Sequence, residues 1–193
     1  MDNWILSNWP LVTQIVLGIF LFTCAWIYLP LAWGAPWVPA PLRTVRKMLQ
    51  RAGVQPGQKV VDLGAGEGRI VIAAALWFKA QAVGVEIDPV RCTIANTLIR
   101  LLGLRDRAHV HCGNLFELDL ADADVVTLYL WPSTNQRLRS RLLKQLRPGA
   151  RVVSFKFPFY GWTPINPDDR DRSGILVYEI GKSEPDILAA LEE

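Results

Sequence analysis

The chain has 193 residues, 51% of them hydrophobic, with 21 lysines and arginines against 18 acids for a net charge of +3. That length gives one ordinary domain plus an appendage, and so mild a positive balance implies no nucleic-acid partner. Its three cysteines, Cys24, Cys92 and Cys112, are widely spaced without a CxxC pair, and read as reduced, buried thiols with no metal role.

In chain order, the first feature is a stretch from Asp2 to Arg43 with no charge between them. Within it "LVTQIVLGIFLFTCAWIYL" runs from Leu11 to Leu29, flanked or capped by Trp4, Trp9, Trp26, Tyr28, Trp33 and Trp37. At about 1.5 Å per residue such a run suits the ~30 Å hydrocarbon core, and the aromatics suit its interfaces. The start, "MDNW", has no basic segment, which argues against a cleaved signal peptide. The reading is a membrane anchor over residues 1–33, with a transmembrane helix at about 9–30. Arg43, Arg46, Lys47 and Arg51 follow the run while only Asp2 precedes it, which places the remainder on the cytoplasmic side of a bacterial inner membrane or its organellar equivalent.

Residues 34–57 form a connector, "PWVPAP", and then an amphipathic helix. Leu42, Val45, Met48, Leu49 and Ala52 recur at helical spacing, and the basic residues fill the other face, where they suit an anionic membrane surface. Element types then alternate strictly: strand 59–64, helix 68–80, strand 82–88, helix 89–102, strands 108–113 and 124–130, helix 134–146, strands 151–157 and 175–180. Apolar strands alternating with helices predict an α/β fold with a mainly parallel sheet covered on both faces, over residues 58–181, with a tail at 182–193. Ligands of such sheets bind beyond the carboxyl ends of the strands. His109 and His111 read as buried strand residues.

The glycine loop lies at such an end. "VVDLGAGEGR" sets Gly64, Gly66 and Gly68 directly after a strand, with Asp62 two residues ahead. The spacing is GxGxG and lacks the third interval of a dinucleotide loop. Acids here suit a ligand with a positive charge and no phosphate. Glu86 closes the next strand in "VGVEIDP", roughly 20 residues past the last glycine, where a carboxylate can accept both hydroxyls of a ribose. After the third strand "HCGNLFE" offers Asn114 to an adenine edge.

These three motifs resemble the cofactor motifs of class I S-adenosylmethionine-dependent methyltransferases. "PWVPAP", "DLGAGEGRIVIAAA" and "ARVVSFKFPFYGWTP" resemble one subfamily, the protein-lysine methyltransferases. It includes an archaeal broad-specificity enzyme and the mitochondrial enzymes that modify the ATP synthase c subunit and the adenine nucleotide translocase. The resemblance implies a Rossmann-like seven-stranded sheet, S-adenosyl-L-methionine as cofactor, and no metal. It implies cofactor binding by Asp62, Gly64, Gly66, Gly68, Glu86, Ile87, Asn114 and Leu115. Trp37, Val38 and Pro39 would help close the cofactor and lysine pocket, and Trp37, Phe157 and Trp162 are the candidate channel residues. This sequence departs from the subfamily at Trp37, where Tyr or Phe is usual, and at Asn114, where Asp is common.

The implied reaction is methylation of a lysine amine in a protein substrate, with a membrane protein as the preferred target and no residue standing out as an obligatory base. "FKFPFYGW" supplies Phe155, Phe157, Phe159, Tyr160 and Trp162 for an apolar channel. Two alternatives are a methyltransferase of a membrane lipid or quinone, for which no carboxylate–histidine pair is evident, and a non-catalytic S-adenosylmethionine-binding scaffold. Methylation of nucleic-acid amines goes with an N/D-P-P-Y strand end, where this chain reads "LYLWPSTN".

Overall fold

The structure, a computed structural model, describes residues 9–28, 38–165 and 173–184. The chain divides into two compact units, residues 1–38 and 39–193. In the first unit, helix α1 spans Trp9–Tyr28. The Thr13 hydroxyl donates to the Trp9 carbonyl at 2.9 Å and that of Thr23 to Ile19 at 2.7 Å, so the helix satisfies its own threonine hydroxyls.

The transmembrane expectation for residues 9–30 fails here. Among the described residues no helix is long and apolar enough to cross a membrane. Thr13, Gln14 and Thr23 interrupt α1, and the unbroken apolar run from Ile15 to Phe22 extends only roughly 12 Å at ~1.5 Å per residue, against a ~30 Å core. The expected single-pass membrane localisation, with the catalytic domain on the cytoplasmic side, is overturned with it. Trp4, Trp33 and Trp37, the connector up to residue 37, and tail residues 185–193 lie outside the described residues.

The second unit begins with Pro39 and includes the basic helix. Helix α2, Leu42–Arg51, starts after Pro41 and buries Val45, Met48 and Leu49 completely. Arg43, Arg46 and Lys47 are exposed. Arg51 is committed inward: its Nη1 donates to Ser173 Oγ at 2.8 Å and to the Ile175 carbonyl at 3.5 Å.

The elements that follow are β1 (Lys59–Leu63), α3 (Arg69–Phe78), β2 (Gln81–Glu86), α4 (Pro89–Leu101), β3 (Ala108–Cys112), β4 (Val125–Leu128), α5 (Pro132–Gln145), β5 (Arg151–Phe155) and β6 (Ile175–Glu179). They build one six-stranded sheet in the order β3-β2-β1-β4-β5-β6, parallel except for β6 against β5. Two apolar layers result. One gathers α2, α3 and α4 against the sheet, and the other gathers Leu138 and Leu142 of α5 with Phe159, Trp162 and Tyr178. Strand order reverses beside β1, and in open α/β sheets the ligand crevice lies at such a point, beyond the carboxyl ends of the strands, here β1 and β4.

The expected seventh strand is missing among the described residues. Pro158 and Pro164 lack the N–H groups that a ladder needs. The stretch instead lies irregularly beside β6, with the N–H of Ile165 on the Val177 carbonyl at 2.8 Å and that of Thr163 on Ser183 at 2.7 Å. The histidines and one cysteine also differ from expectation. His109 and His111 are exposed on one face of β3, because residues 113–124 form turns and no helix to cover it, and Cys112 is exposed at the end of the strand. The two imidazoles meet edge to face, with centroids 4.5 Å apart. Cys92 is buried, as expected, and Cys24 is half-buried. On the outer side of β3, Asn96 of α4 takes both backbone groups of Val110: Nδ2 donates to the carbonyl at 2.7 Å and Oδ1 accepts from the N–H at 3.0 Å.

Candidate active site

The chain turns from β1 into α3 through the glycine loop. Gly64 and Gly68 take φ of +84° and +81°, where a Cβ is disfavoured. A Cβ on Gly64 would also stand 2.9 Å from Leu130 Cδ2, so the loop lies directly against the end of β4. The loop is tied to β2 from beneath, with the N–H groups of Gly64 and Ala65 on the Val85 carbonyl at 3.0 and 2.9 Å. That close approach requires Gly84 in the middle of β2, since a Cβ there would come 2.6 Å from Ala65 Cβ and 2.8 Å from Val71 Cγ2. Gly84 is not legible as a site residue in the sequence, because an isolated glycine inside a strand gives no sign of what passes over it.

Two carboxylates converge under this loop. Asp62 is 3% exposed, and its register partner Thr127 on β4 donates a hydroxyl to it at 2.7 Å. Burial outweighs that bond, and the nearby charge of Glu86 adds to it, so the Asp62 carboxyl is pushed up from 3.8 to about 7. Glu86 closes β2 with Oε2 accepting from the Gly66 N–H at 2.8 Å and Oε1 from the Asp88 N–H at 3.0 Å. Asp88 in turn caps α4 through the Val90 N–H at 2.8 Å. Glu67 pairs with Arg69 at 2.7 Å, and Arg69 reaches the Ala40 carbonyl at 3.2 Å, tying the loop to the start of the unit.

The other candidates on this side differ in character. Ile87 is 47% exposed beside Glu86, an apolar surface open to a planar ligand. Leu115 is half-buried against the α5 layer. Asn114 is used locally: its Oδ1 accepts from the Phe116 N–H at 3.0 Å and its Nδ2 donates to Glu117 at 3.1 Å. Its segment is positioned by the Gly113 N–H on the Glu86 carbonyl at 2.9 Å. Cys92 lies beneath the same turn and donates to the Glu86 carbonyl at 3.2 Å. Burial, reinforced by the adjoining Cys112, pushes its thiol up to about 12.

Across the crevice, the ends of β4 and β5 carry rings. Tyr129 meets Phe155 edge to face at 4.7 Å and stacks with Phe157 at 6.3 Å, and Trp131 stacks on Phe157 at 5.9 Å. Asn135 of α5 donates to the Phe157 carbonyl at 3.1 Å and holds that turn in place. Phe157, a sequence candidate, thus lies in the ring cluster with Tyr129 and Trp131. Trp162 and Phe159 lie apart from that cluster: they stack at 4.9 Å inside the α5 layer, each against Tyr178. Tyr129 and Trp131 are absent from the sequence-based candidates, because "LYLW" reads as the end of a strand and the rings expected of a channel lie near β5.

The donor set fits a ligand with a cationic centre, a sugar diol and an aromatic base. Two buried carboxylates and a glycine cradle face it, with an exposed isoleucine alongside. Among the described residues the one buried cation, Arg91, faces Asp88 at 3.6 Å, which leaves none directed at a phosphate.

Comparison with known proteins agrees with this geometry. The model of the ANTKMT methyltransferase domain matches residues 62–166. A protein-lysine N-methyltransferase of Saccharolobus islandicus is 45% identical over 76% of this chain and 94% of its own. The adenine nucleotide translocase lysine N-methyltransferase of Mus musculus is 34% identical over 82% of this chain and 69% of its own. The crystal structure of an RNA methyltransferase from Salinibacter ruber, in complex with S-adenosyl-L-homocysteine, superposes with a TM-score of 0.73 at 41% identity. It covers 77% of this chain and 97% of that one.

Proposed function

We propose a protein-lysine acceptor for this chain, which belongs to the ANTKMT methyltransferase domain family and is an S-adenosylmethionine-dependent methyltransferase. The observation that carries the reading is the cluster of Tyr129, Trp131, Phe155 and Phe157 beside the glycine loop. The names of the Saccharolobus and mouse relatives support the same acceptor.

Bound S-adenosylmethionine supplies an electrophilic methyl group on a positively charged sulfur. In this reading Gly64, Gly66 and Gly68 let the backbone approach the ligand. Asp62 balances its cationic end, and Glu86 accepts the ribose hydroxyls. Ile87 and Leu115 flank the base, with Asn114 shaping the turn that carries Leu115. The acceptor amine must be neutral to react. From a reference value near 10.4, its deprotonation at neutral pH costs about 4 to 5 kcal/mol. Aromatic walls lower that cost by desolvating the ammonium, and they align the nitrogen by gripping the apolar stem. The chain's two histidines stand on β3, with β2 and β1 between them and the rings at the ends of β4 and β5, so this reading assigns neither as the base.

A second reading, methylation of RNA, is favoured by the similarity to the Salinibacter protein, an RNA methyltransferase by name. Against it, the end of β4 reads Tyr129-Leu130-Trp131-Pro132 where an N/D-P-P-Y element would present a base amine. Incubation with methyl-labelled cofactor, in parallel with protein and RNA from the same cells, followed by hydrolysis, separates the two. Labelled methyllysine is the expected product. Label confined to nucleosides would replace the lysine reading.

A further inference from the structure

We propose that Lys156 is itself a methyl acceptor, modified by its own chain at the aromatic cluster. This rests on the lysine-acceptor reading above and names a first substrate for it.

Lys156 directly follows Phe155, the last residue of β5. In a regular strand, neighbours point to opposite faces of the sheet. Lys156 breaks that alternation with φ at +68°, a conformation disfavoured for a residue with a Cβ. Its N–H is held by the Gly174 carbonyl at 2.6 Å. The other non-glycine residue of positive φ among those described, Lys79, is the C-cap of α3, where such geometry is routine. Lys156 has no helix end to explain it.

The turn has a clear result. The ammonium of Lys156 stands 5.5 Å from the ring centre of Phe155 and 5.9 Å from that of Tyr129, within the ~6 Å reach of a cation–π contact. Tyr129 adjoins Leu130, and Leu130 is the residue against which Gly64 packs. A lysine amine belonging to the chain is thus placed on the wall that the acceptor amine is proposed to use, next to the loop that binds the methyl donor.

The step balances without further reagents. The amine loses its proton to water. Its lone pair then forms the N–CH3 bond as the S–CH3 bond breaks, and the bonding pair stays on sulfur to leave S-adenosylhomocysteine. The methylated ammonium keeps its positive charge and its place over the rings.

The full chain, incubated with S-adenosylmethionine carrying a deuterated methyl group, is digested and read by peptide mass spectrometry. We expect the label on Lys156, appearing at a rate independent of protein concentration, absent in Gly66→Val, and lost from that site alone in Lys156→Arg. A second readout needs no cofactor. After chemical reductive methylation with labelled formaldehyde, the Lys156 methyl resonance should be shifted upfield by the rings, and Tyr129→Ala should move it back. An unlabelled Lys156 in a preparation that methylates an added lysine-bearing protein overturns the inference and leaves the lysine reading standing. Label on RNA alone overturns both. A Lys156 resonance with no ring shift removes the geometric basis.

Discussion

The two sides of the crevice hold their shape by different means. At β1 and β2, directional bonds fix every carboxylate: Glu86 is held by two backbone N–H groups and Asp62 by Thr127. At β4 and β5 the contacts are ring on ring, at 4.7 to 6.3 Å, with an ammonium resting over two of them. Hydrogen bonds specify a ligand of one fixed outline, as a cofactor is. Aromatic surfaces are far less directional, and accept a long apolar stem with a charged tip whatever chain it is attached to. The contrast fits a transferase that holds its donor and its acceptor by different kinds of contact.

Breaking the first side should have the larger effects. Between 3.8 and about 7 the native Asp62 binds a proton that the unfolded chain has already released. Its contribution to stability is therefore fully present below the lower value and lost as pH rises through the upper one, on the order of 4 kcal/mol in all. Urea titrations of wild type and Asp62→Asn across that window should show their stability difference changing by this amount, and a constant difference would mean that Asp62 is not buried as described. Gly84→Val drives a side chain into Ala65 and Val71, and should lower unfolding free energy by about 3 kcal/mol with the denaturant slope unchanged. Glu86→Ala should weaken cofactor binding by about 2 kcal/mol, roughly 30-fold, in calorimetry. The smallest effect is on the second side. Phe157→Ala removes a stacking partner of Tyr129 and Trp131 and should reduce kcat/KM on a lysine substrate roughly 5-fold, about 1 kcal/mol, with cofactor affinity unmoved. A parallel loss of affinity would show that the two sides are not separate.

The same contrast explains what could be read in advance. Asp62, the glycines and Glu86 lie within short spans whose spacing is set by one strand and one turn, so their meeting is legible in the sequence. Tyr129 and Phe157 come together only because β4 and β5 are neighbours, and nothing local in "LYLW" or "FKFP" reveals that pairing. Trp162 looks equivalent to Phe157 in the sequence, but Gly161 takes φ +77° just before it and the chain turns into the α5 layer. The seventh strand is an expectation from resemblance, although Pro158 and Pro164 already speak against it. Reading α1 as a membrane span rests on mean apolarity and gives too little weight to Gln14 and the two threonines.

Asn96 has a bearing on how the protein behaves at high concentration. The outer flank of β3 would otherwise present an unpaired N–H and C=O at its midpoint, an invitation for another polypeptide to add itself there. A single carboxamide, aligned like one rung of a missing neighbour, occupies both groups. One side chain of a helix thereby limits self-association along the flank where His109 and His111 lie open to solvent.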